Sequence, residues 1–228
     1  MSVYPMSAVK VNAPKVATAT VIFLHGLGDS GEGWSFLPGE VYRRSSLQHI
    51  KFILPNAPVR PITVFGQDAP AWYDVGAFGP GSSQDVEGTL TGLNTVKAYI
   101  EEEIRNGVPP ERIVVGGFSQ GSSLTMGTAV TLDKKIAGFI PISGFVPVVK
   151  AIAPLAKPDN LDTPILQMHG TADEIVPFKT GVVSNEIMRN KFHFTNIEWH
   201  EYPGLAHNIN PQGLEDILNF LERVVPSV

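Results

Sequence analysis

The chain has 228 residues, no cysteine and a net charge of −5. The absence of cysteine excludes disulfides, thiolate metal sites and a thiol nucleophile, and the mildly acidic balance argues against nucleic acid as the main partner. A hydrophobic fraction of 43% with 17% charged residues is typical of a globular chain with a sizeable core rather than of a disordered one.

Short apolar runs along the chain predict six strands. In chain order they are Thr20–Leu24, Lys51–Leu54, Arg112–Val115, Gly138–Ile142, Pro164–Met168 and Asn196–Tyr202. The first five are almost continuously apolar, as are strands that are covered on both faces. The sixth alternates between apolar and polar residues, so we expect one of its faces to meet water.

Helical patterns fill the intervals between these strands. Asp85–Asn106 places apolar residues three or four positions apart, and Lys179–Phe192 and Gln212–Val225 show two further helical patterns. Strands that alternate with helices indicate βαβ units. The sequence therefore predicts an α/β fold with a mostly parallel central sheet flanked by helices.

Two stretches lack a regular pattern. Asn56–Ser83 is rich in proline, glycine and aromatic residues, and Val146–Thr163 carries three prolines. Long loops in compact domains are often lids or binding loops, but a packed structural excursion fits these stretches equally well.

The strongest local motif is the G-x-S-x-G sequence of Gly117–Gly121. It follows the predicted strand Arg112–Val115 and precedes a plausible helix, Ser122–Leu132, which is the context of a nucleophile elbow. The serine must project from a tight turn, and side chains two residues to either side would collide there. The motif predicts Ser119 as a nucleophile, and the alternative is an ordinary glycine-rich turn.

A serine hydroxyl needs a base and a carboxylate that orients the base, and in this type of fold the chain order is serine, acid, histidine. Asp173 follows the predicted strand Pro164–Met168 after a short turn, so we expect it to be the acid, with a helix cap as the alternative. Four other aspartates follow the serine and are less suitable. Asp133 comes too early, Asp159 and Asp162 lie in the irregular stretch Val146–Thr163, and Asp216 lies in the last helical pattern.

Four histidines follow the serine: His169, His193, His200 and His207. His207 comes after the last predicted strand, through a Pro-Gly turn, and before the last predicted helix, where a mobile general base belongs. His193 lies at a helix end and His200 within a strand pattern. His169 precedes the turn that carries Asp173 and is expected to support that turn. We therefore predict His207 as the base.

An oxyanion hole needs backbone N–H donors. One should be Gln120, the residue after the nucleophile, and the second should come from the loop that follows an early strand. We assign the second donor to Leu27 in the glycine-rich loop His25–Gly31. A phosphate-binding role for this loop is the alternative, but it lacks the Gly-Lys-Ser/Thr of a P-loop and the G-x-G-x-x-G of a dinucleotide site.

Taken together, the motifs resemble the acyl-protein thioesterases, which belong to the phospholipase/carboxylesterase group of α/β-hydrolases. The resemblance runs in order from about Thr18 to Val225, so we expect a single α/β-hydrolase domain over 18–228 and an N-terminal extension over 1–17. The segments that carry it are Val21–Asp29, Pro55–Pro58, Pro70–Asp74, Gly116–Gly121, His169–Asp173 and Gly204–His207.

The resemblance implies a serine hydrolase that removes palmitoyl groups from protein cysteines through an acyl-enzyme, and that also cleaves lysophospholipids and short esters. By motif, Ser119, Asp173 and His207 take the triad positions, and Leu27 and Gln120 take the oxyanion-hole positions. It implies no cofactor and no metal, and a cytoplasmic location that in some members extends to the nucleus. No secretory signal and no run of 18 apolar residues is present, so we expect no transmembrane segment.

Three features depart from the family pattern. Asn208 follows the base where serine is common, Ser122 and Ser123 replace smaller residues after the elbow, and Tyr73 replaces a common phenylalanine. None of these changes removes a catalytic atom. They bear on the acyl-chain preference rather than on the class of reaction.

A fatty acyl substrate needs an apolar channel. Seven apolar residues lie in loops near the predicted site: Leu27, Phe36, Leu37, Trp72, Phe78, Ile175 and Val176. We expect Trp72, Ile175 and Val176 to line the channel, and packing in the core or in a lid is the alternative.

Two other functions stay open at this point. One is a general carboxylesterase for small esters, and the other is a non-catalytic receptor or scaffold that retains a hydrolase fold. The expected partners are S-acylated proteins or lysolipids rather than nucleic acid. A homodimer that covers the mouth of the site also stays open.

Overall fold

A mainly parallel sheet forms the centre of the molecule, for which the computed structural model describes residues 7–76 and 85–228. The strands are Ala8–Val11 (β1), Ala19–Leu24 (β2), Ile50–Pro55 (β3), Val59–Ile62 (β4), Gln67–Pro70 (β5), Ile113–Phe118 (β6), Gly138–Ile142 (β7), Ile165–Gly170 (β8) and Ile197–Tyr202 (β9). Within the described residues, seven of them pair in the order β1-β3-β2-β6-β7-β8-β9, and only β1 runs antiparallel to its neighbour. A separate hairpin pairs β4 with β5.

Helices cover both faces of this sheet. They are Phe36–Val41 (α1), Val86–Arg105 (α2), Gln120–Thr131 (α3), Val149–Ile152 (α4), Phe178–Glu186 (α5) and Pro211–Val224 (α6). Short 3₁₀ turns cover Glu32–Trp34, Ser45–Leu47, Pro110–Arg112 and Ala153–Leu155, and a π-helical turn, Ile187–Lys191, extends α5. No helix in 7–76 or 85–228 combines the length and the hydropathy needed to cross a bilayer.

The two faces of the sheet bury separate apolar cores. On one face, Leu93 of α2 and Leu124 of α3 pack against strand residues such as Val115. On the other, Leu37 of α1 and Phe220 of α6 pack against the opposite side of the same strands. The predicted mostly parallel sheet flanked by helices is therefore confirmed.

All six predicted strands are present, with boundaries that shift by no more than three residues. Every residue of β2 is buried, as its continuous apolar run predicted. The alternating run forms β9 at the edge of the sheet, where its four middle residues are half-buried or exposed.

The sequence missed five short elements. β1 lies inside the segment predicted as an N-terminal extension and pairs with β3, so that part of the segment belongs to the sheet. The irregular stretch Asn56–Ser83 contains the β4–β5 hairpin, and Val146–Thr163 contains α4; α1 was not predicted. These elements have four to six residues each, which is too short for a clear period.

The parallel arrangement brings four loops to one edge. The carboxyl ends of β2, β6, β8 and β9 lead into the loops that begin with His25, Ser119, Thr171 and Pro203 respectively. Ligands of open α/β sheets bind at this edge. The sequence-predicted catalytic residues therefore follow strands that end on the same side of the molecule.

Candidate active site

Ser119 lies in a sharp turn between β6 and α3. Its φ of 55° and ψ of −115° are unfavourable for a residue that carries a Cβ atom. The turn is held by a 2.9 Å hydrogen bond that the Ser119 N–H donates to the carbonyl of Ile142 in β7. The backbone thus presents this serine at the edge of the sheet.

The two flanking glycines make this turn possible. A Cβ atom at Gly117 would lie 2.5 Å from the carbonyl carbon of Gly121, and one at Gly121 would lie 2.2 Å from the carbonyl oxygen of Leu24. Both contacts involve backbone, which cannot move aside. The spacing of the G-x-S-x-G motif therefore has a direct steric cause.

Asp173 and His207 form a buried hydrogen-bonded pair. The Nδ1 of His207 lies 2.7 Å from Oδ2 of Asp173, whose side chain is fully buried. The other oxygen, Oδ1, accepts the N–H groups of Ile175 at 3.0 Å and Val176 at 2.9 Å. A carboxylate only accepts, so Nδ1 carries the proton and Nε2 of His207 is the basic atom.

Burial alone would raise the pKa of Asp173. Hydrogen bonds from His169, His207 and the N–H of Val176, together with the charge attraction of His207, outweigh that effect and hold the pKa well below its usual range. The group is therefore a carboxylate throughout the neutral pH range. It can stabilise a positive charge on His207 without taking its proton.

Ser119 and His207 line the same cavity. The imidazole of His207 packs against the ring of Phe118 at 4.6 Å between centroids, and Phe118 packs in turn on Trp34 at 5.5 Å. This aromatic backing limits the positions that the histidine can take. The three residues predicted as nucleophile, acid and base therefore converge on one site.

The predicted oxyanion residues, Leu27 and Gln120, line this cavity as well. Gln120 is the first residue of α3, where backbone N–H groups have no partner within the helix. Its side chain faces away from that role: Oε1 accepts the N–H of Trp72 at 2.8 Å and Nε2 donates to the carbonyl of Tyr73 at 2.7 Å. This residue thus fixes a neighbouring loop to the elbow.

Buried hydrogen bonds also fix the loop that carries Leu27. The Nε2 of His25 accepts the N–H of Ala57 at 3.0 Å, so its Nδ1 carries the proton and donates to the carbonyl of Gly26 at 2.7 Å. Burial lowers the pKa of His25, which keeps the ring neutral. The N–H of Gly28 donates to the carbonyl of Pro70 at 2.8 Å. The loop is therefore held in place without a ligand.

Trp72 does not belong to the described lining of the cavity, and this corrects the expectation for the acyl channel. Its side chain is 1% exposed and its Nε1–H donates to the carbonyl of His25 at 2.9 Å. The indole is directed into the core beneath the loop, while its neighbour Tyr73 faces the cavity. Tyr73, rather than Trp72, therefore contributes to the cavity wall.

The cavity has a volume of about 910 Å³. The predicted residues Ile175 and Val176 line it, as does Leu27, whereas Phe36 and Leu37 are not in the described lining and Phe78 lies outside the described residues. The sequence analysis did not predict most of the cavity wall, which comes from the β4–β5 hairpin, α5 and the start of the irregular stretch Val146–Thr163. Its apolar side chains include Phe65, Val75, Val146, Val148, Val183 and Ile187.

The remaining candidates lie elsewhere or act differently. Asp216 accepts hydrogen bonds from Tyr202 at 2.7 Å and His200 at 3.0 Å, so it ties α6 to β9. His193 follows the helical segment that ends at Lys191 and has a φ of 61°. Among the residues that the structure describes, no group of three or more potential ligands is arranged to hold a metal ion.

Comparison with known proteins gives a consistent result. The phospholipase/carboxylesterase family model matches residues 6–225. An acyl-protein thioesterase 1 from Yarrowia lipolytica is 42% identical over 96% of this chain and 97% of its own length.

Solved structures agree with this match. SOBER1 from Arabidopsis thaliana superposes with a TM-score of 0.85 at 31% identity, over 91% of this chain and 99% of its own. Acyl-protein thioesterase 2 from Zea mays gives a TM-score of 0.82 at 25% identity, over 96% and 99% respectively. The chain therefore has the α/β-hydrolase fold and belongs to the phospholipase/carboxylesterase family.

Proposed function

We propose that this protein is a serine hydrolase that cleaves thioester-linked fatty acyl groups from protein cysteines. The observation that carries the proposal is the convergence of the strained Ser119 and the Asp173–His207 pair on one large apolar cavity. The thioesterase names of relatives at 37–42% identity support the choice of a thioester over other carbonyl substrates.

In the proposed mechanism, Ser119 attacks the thioester carbonyl while Nε2 of His207 accepts its proton. The buried carboxylate of Asp173 stabilises the resulting imidazolium. The backbone N–H groups of Leu27 and Gln120 stabilise the tetrahedral oxyanion, and each such donor contributes about 3–4 kcal/mol to the transition state. The thiolate then leaves, taking the proton from His207.

Water completes the reaction. His207 removes a proton from a water molecule that attacks the acyl-enzyme, and a second tetrahedral intermediate collapses to release the fatty acid and Ser119. The enzyme returns to its starting protonation state. No step needs a cofactor.

The size and lining of the cavity support a long acyl chain. Its volume of about 910 Å³ falls in the range of sites that enclose ligands of this size. Burial of a methylene group contributes about 0.8 kcal/mol, so the fifteen carbons beyond a palmitoyl carbonyl could contribute up to roughly 12 kcal/mol. Tyr73, Val146, Ile175, Val176 and Ile187 are proposed to contact the chain.

The test of this proposal is Ser119→Ala with a palmitoylated cysteine peptide as substrate. Loss of the nucleophile should lower kcat by several orders of magnitude while the fold is retained. Ser46→Ala is the matched control and should keep wild-type activity, because this exposed serine lies in the 3₁₀ turn before β3 and is not in the described cavity lining. Near wild-type turnover by Ser119→Ala would refute the assignment.

Two alternatives make different predictions. A general carboxylesterase would prefer short esters when they compete with palmitoyl-cysteine peptides, and lysophospholipids belong in the same panel. A non-catalytic receptor would not react with a fluorophosphonate, which labels an activated serine. We expect labelling at Ser119 and a preference for the long acyl thioester.

The expected partners are S-acylated proteins, with lysolipids as further substrates, and the expected location is the cytoplasm with a nuclear fraction. Fractionation of cells that express the tagged chain tests the location. Light scattering of the purified protein tests whether a homodimer forms.

A further inference from the structure

A second histidine, His169, lies behind the acid of the site. It is the fifth residue of β8 and its side chain is 1% exposed. Its Nε2 lies 2.8 Å from the carbonyl oxygen of Val176 and 3.4 Å from Oδ2 of Asp173. A carbonyl and a carboxylate only accept, so the proton of the neutral ring is on Nε2.

The other ring nitrogen, Nδ1, makes no hydrogen bond to the described residues. It is also buried, and Gly181 of α5 closes this side, because a Cβ atom there would lie 2.4 Å from Nδ1. The rings of Phe178 and Trp199 flank the imidazole at 6.1 Å and 6.2 Å. A proton on Nδ1 would therefore be buried without an acceptor among the described residues.

An unpartnered buried nitrogen is unfavourable, and a phenyl ring would fill the same space without one. Packing therefore does not explain a histidine at this position. The Nε2–H group does, because it is the one feature of the ring that has partners.

We propose that His169 is a positioning residue for Asp173. Its Nε2–H holds the carbonyl of Val176, and the N–H of Val176 binds Oδ1 of Asp173 at 2.9 Å. The same Nε2 atom lies 3.4 Å from Oδ2, the oxygen that binds His207. This inference rests on the proposed function, since it concerns the acid of the same site.

The arrangement also joins the acid to the acyl cavity. Val176 lines the cavity, and α5, which packs against the ring through Gly181, contributes Val183 and Ser184 to the same wall. His169 thus holds the loop between β8 and α5, which both supports the carboxylate of Asp173 and forms part of the cavity wall.

Removal of the N–H group has a predictable electrostatic result. The carboxylate of Asp173 then loses the polar N–H group beside Oδ2, so its negative charge stabilises protonated His207 more strongly. As a result, the acid limb of the kcat/KM profile moves to higher pH. The elements packed around His169 carry other ionisable side chains, which are the same in wild type and variants and so do not account for a shift of the acid limb. They are Glu174 in the loop after β8, Lys179 on α5, and Glu201 and Tyr202 on β9.

The experiment compares His169→Phe with His169→Gln in the full-length protein. Phenylalanine keeps the ring between Phe178 and Trp199 without an N–H, whereas the amide of glutamine can donate at the position of Nε2. We expect His169→Phe to lower kcat about tenfold with a smaller change in KM, and to move the acid limb upward by roughly half a pH unit. His169→Gln should restore both values toward wild type.

An acid limb that stays in place or moves down in a folded His169→Phe overturns the proposal. If that variant does not fold, ¹⁵N NMR of the wild-type ring decides: a proton on Nε2 with coupling across the bond to the Val176 carbonyl supports the proposal, and a proton on Nδ1 overturns it. A wild-type chain without hydrolase activity would instead refute the proposed function, so the two failures are distinguishable.

Discussion

Replacement of Asp173 by asparagine should reverse the tautomer of His207. The N–H groups of Ile175 and Val176 point at Oδ1 at 3.0 and 2.9 Å, so they will hold the amide oxygen of the new side chain at that position. The amide NH₂ must then occupy the position of Oδ2, which is 2.7 Å from Nδ1 of His207. An N–H donor there requires a bare Nδ1 and moves the proton to Nε2, where it faces the cavity.

The magnitude follows from that geometry. A histidine protonated on Nε2 cannot accept the proton of Ser119, and loss of the correct tautomer lowers kcat about 10⁴-fold in a serine–histidine–aspartate site. KM should change little because the cavity is unaltered. The measurement is steady-state hydrolysis of a palmitoyl thioester, with thermal unfolding to establish that the variant is folded.

Asp159→Asn, at an exposed position of the chain, makes the same chemical change away from the site and should retain wild-type kcat. If folded Asp173→Asn keeps kcat within tenfold of wild type, the acid is not this residue and the reasoning from its three hydrogen bonds fails.

Three further predictions concern the elbow, the cavity wall and pH. Gly121→Ala should lower stability by at least about 2 kcal/mol, because its Cβ would lie 2.2 Å from the Leu24 carbonyl, whereas Gly39→Ala in α1, with open space around it, should not; thermal unfolding compares them. Trp72→Phe should leave the acyl-length profile unchanged while Ile187→Phe shifts it to shorter chains, and an altered profile in Trp72→Phe would return that residue to the cavity. Since the pKa of Asp173 is lowered by folding, its stabilising contribution is complete above the unfolded value of about 3.9 and declines as pH falls toward the folded one. The stability difference between wild type and Asp173→Asn should therefore shrink from pH 6 to pH 3 in urea titrations, and a difference that grows would contradict the assigned direction.

The sequence predicted the sheet well because its strands are buried on both faces. A run such as that of β7 is apolar throughout and bounded by turns, and its predicted limits, Gly138–Ile142, are those of the structure. The β4–β5 hairpin has four-residue strands with mostly exposed or half-buried side chains, so no period or apolar run marks it. Short elements of this kind depend on tertiary contacts that the local pattern does not contain.

The difference between local pattern and tertiary contact also explains which site residues could be predicted. Ser119, Asp173 and His207 could be chosen because each follows a strand in a fixed chain order, and the geometry of a parallel sheet then brings them to one edge. Trp72 was misassigned because direction in an irregular loop is set by partners elsewhere: the carbonyl of His25 and the side chain of Gln120. Neither partner is visible in the local sequence.

The contrast between the edge of the sheet and the wall of the cavity bears on how substrate choice arises. At the edge, the positive φ of Ser119 costs about 1–3 kcal/mol and is sustained by backbone contacts that permit only glycine at positions 117 and 121. Buried hydrogen bonds hold the loop of Leu27 and the carboxylate of Asp173 with similar firmness. The wall is built differently, from apolar side chains such as Val146, Val183 and Ile187, several of them partly exposed and replaceable without loss of a hydrogen bond. Changes in acyl preference should therefore come from α5, the β4–β5 hairpin and the residues around Val146, while the edge that carries the chemistry tolerates very few substitutions.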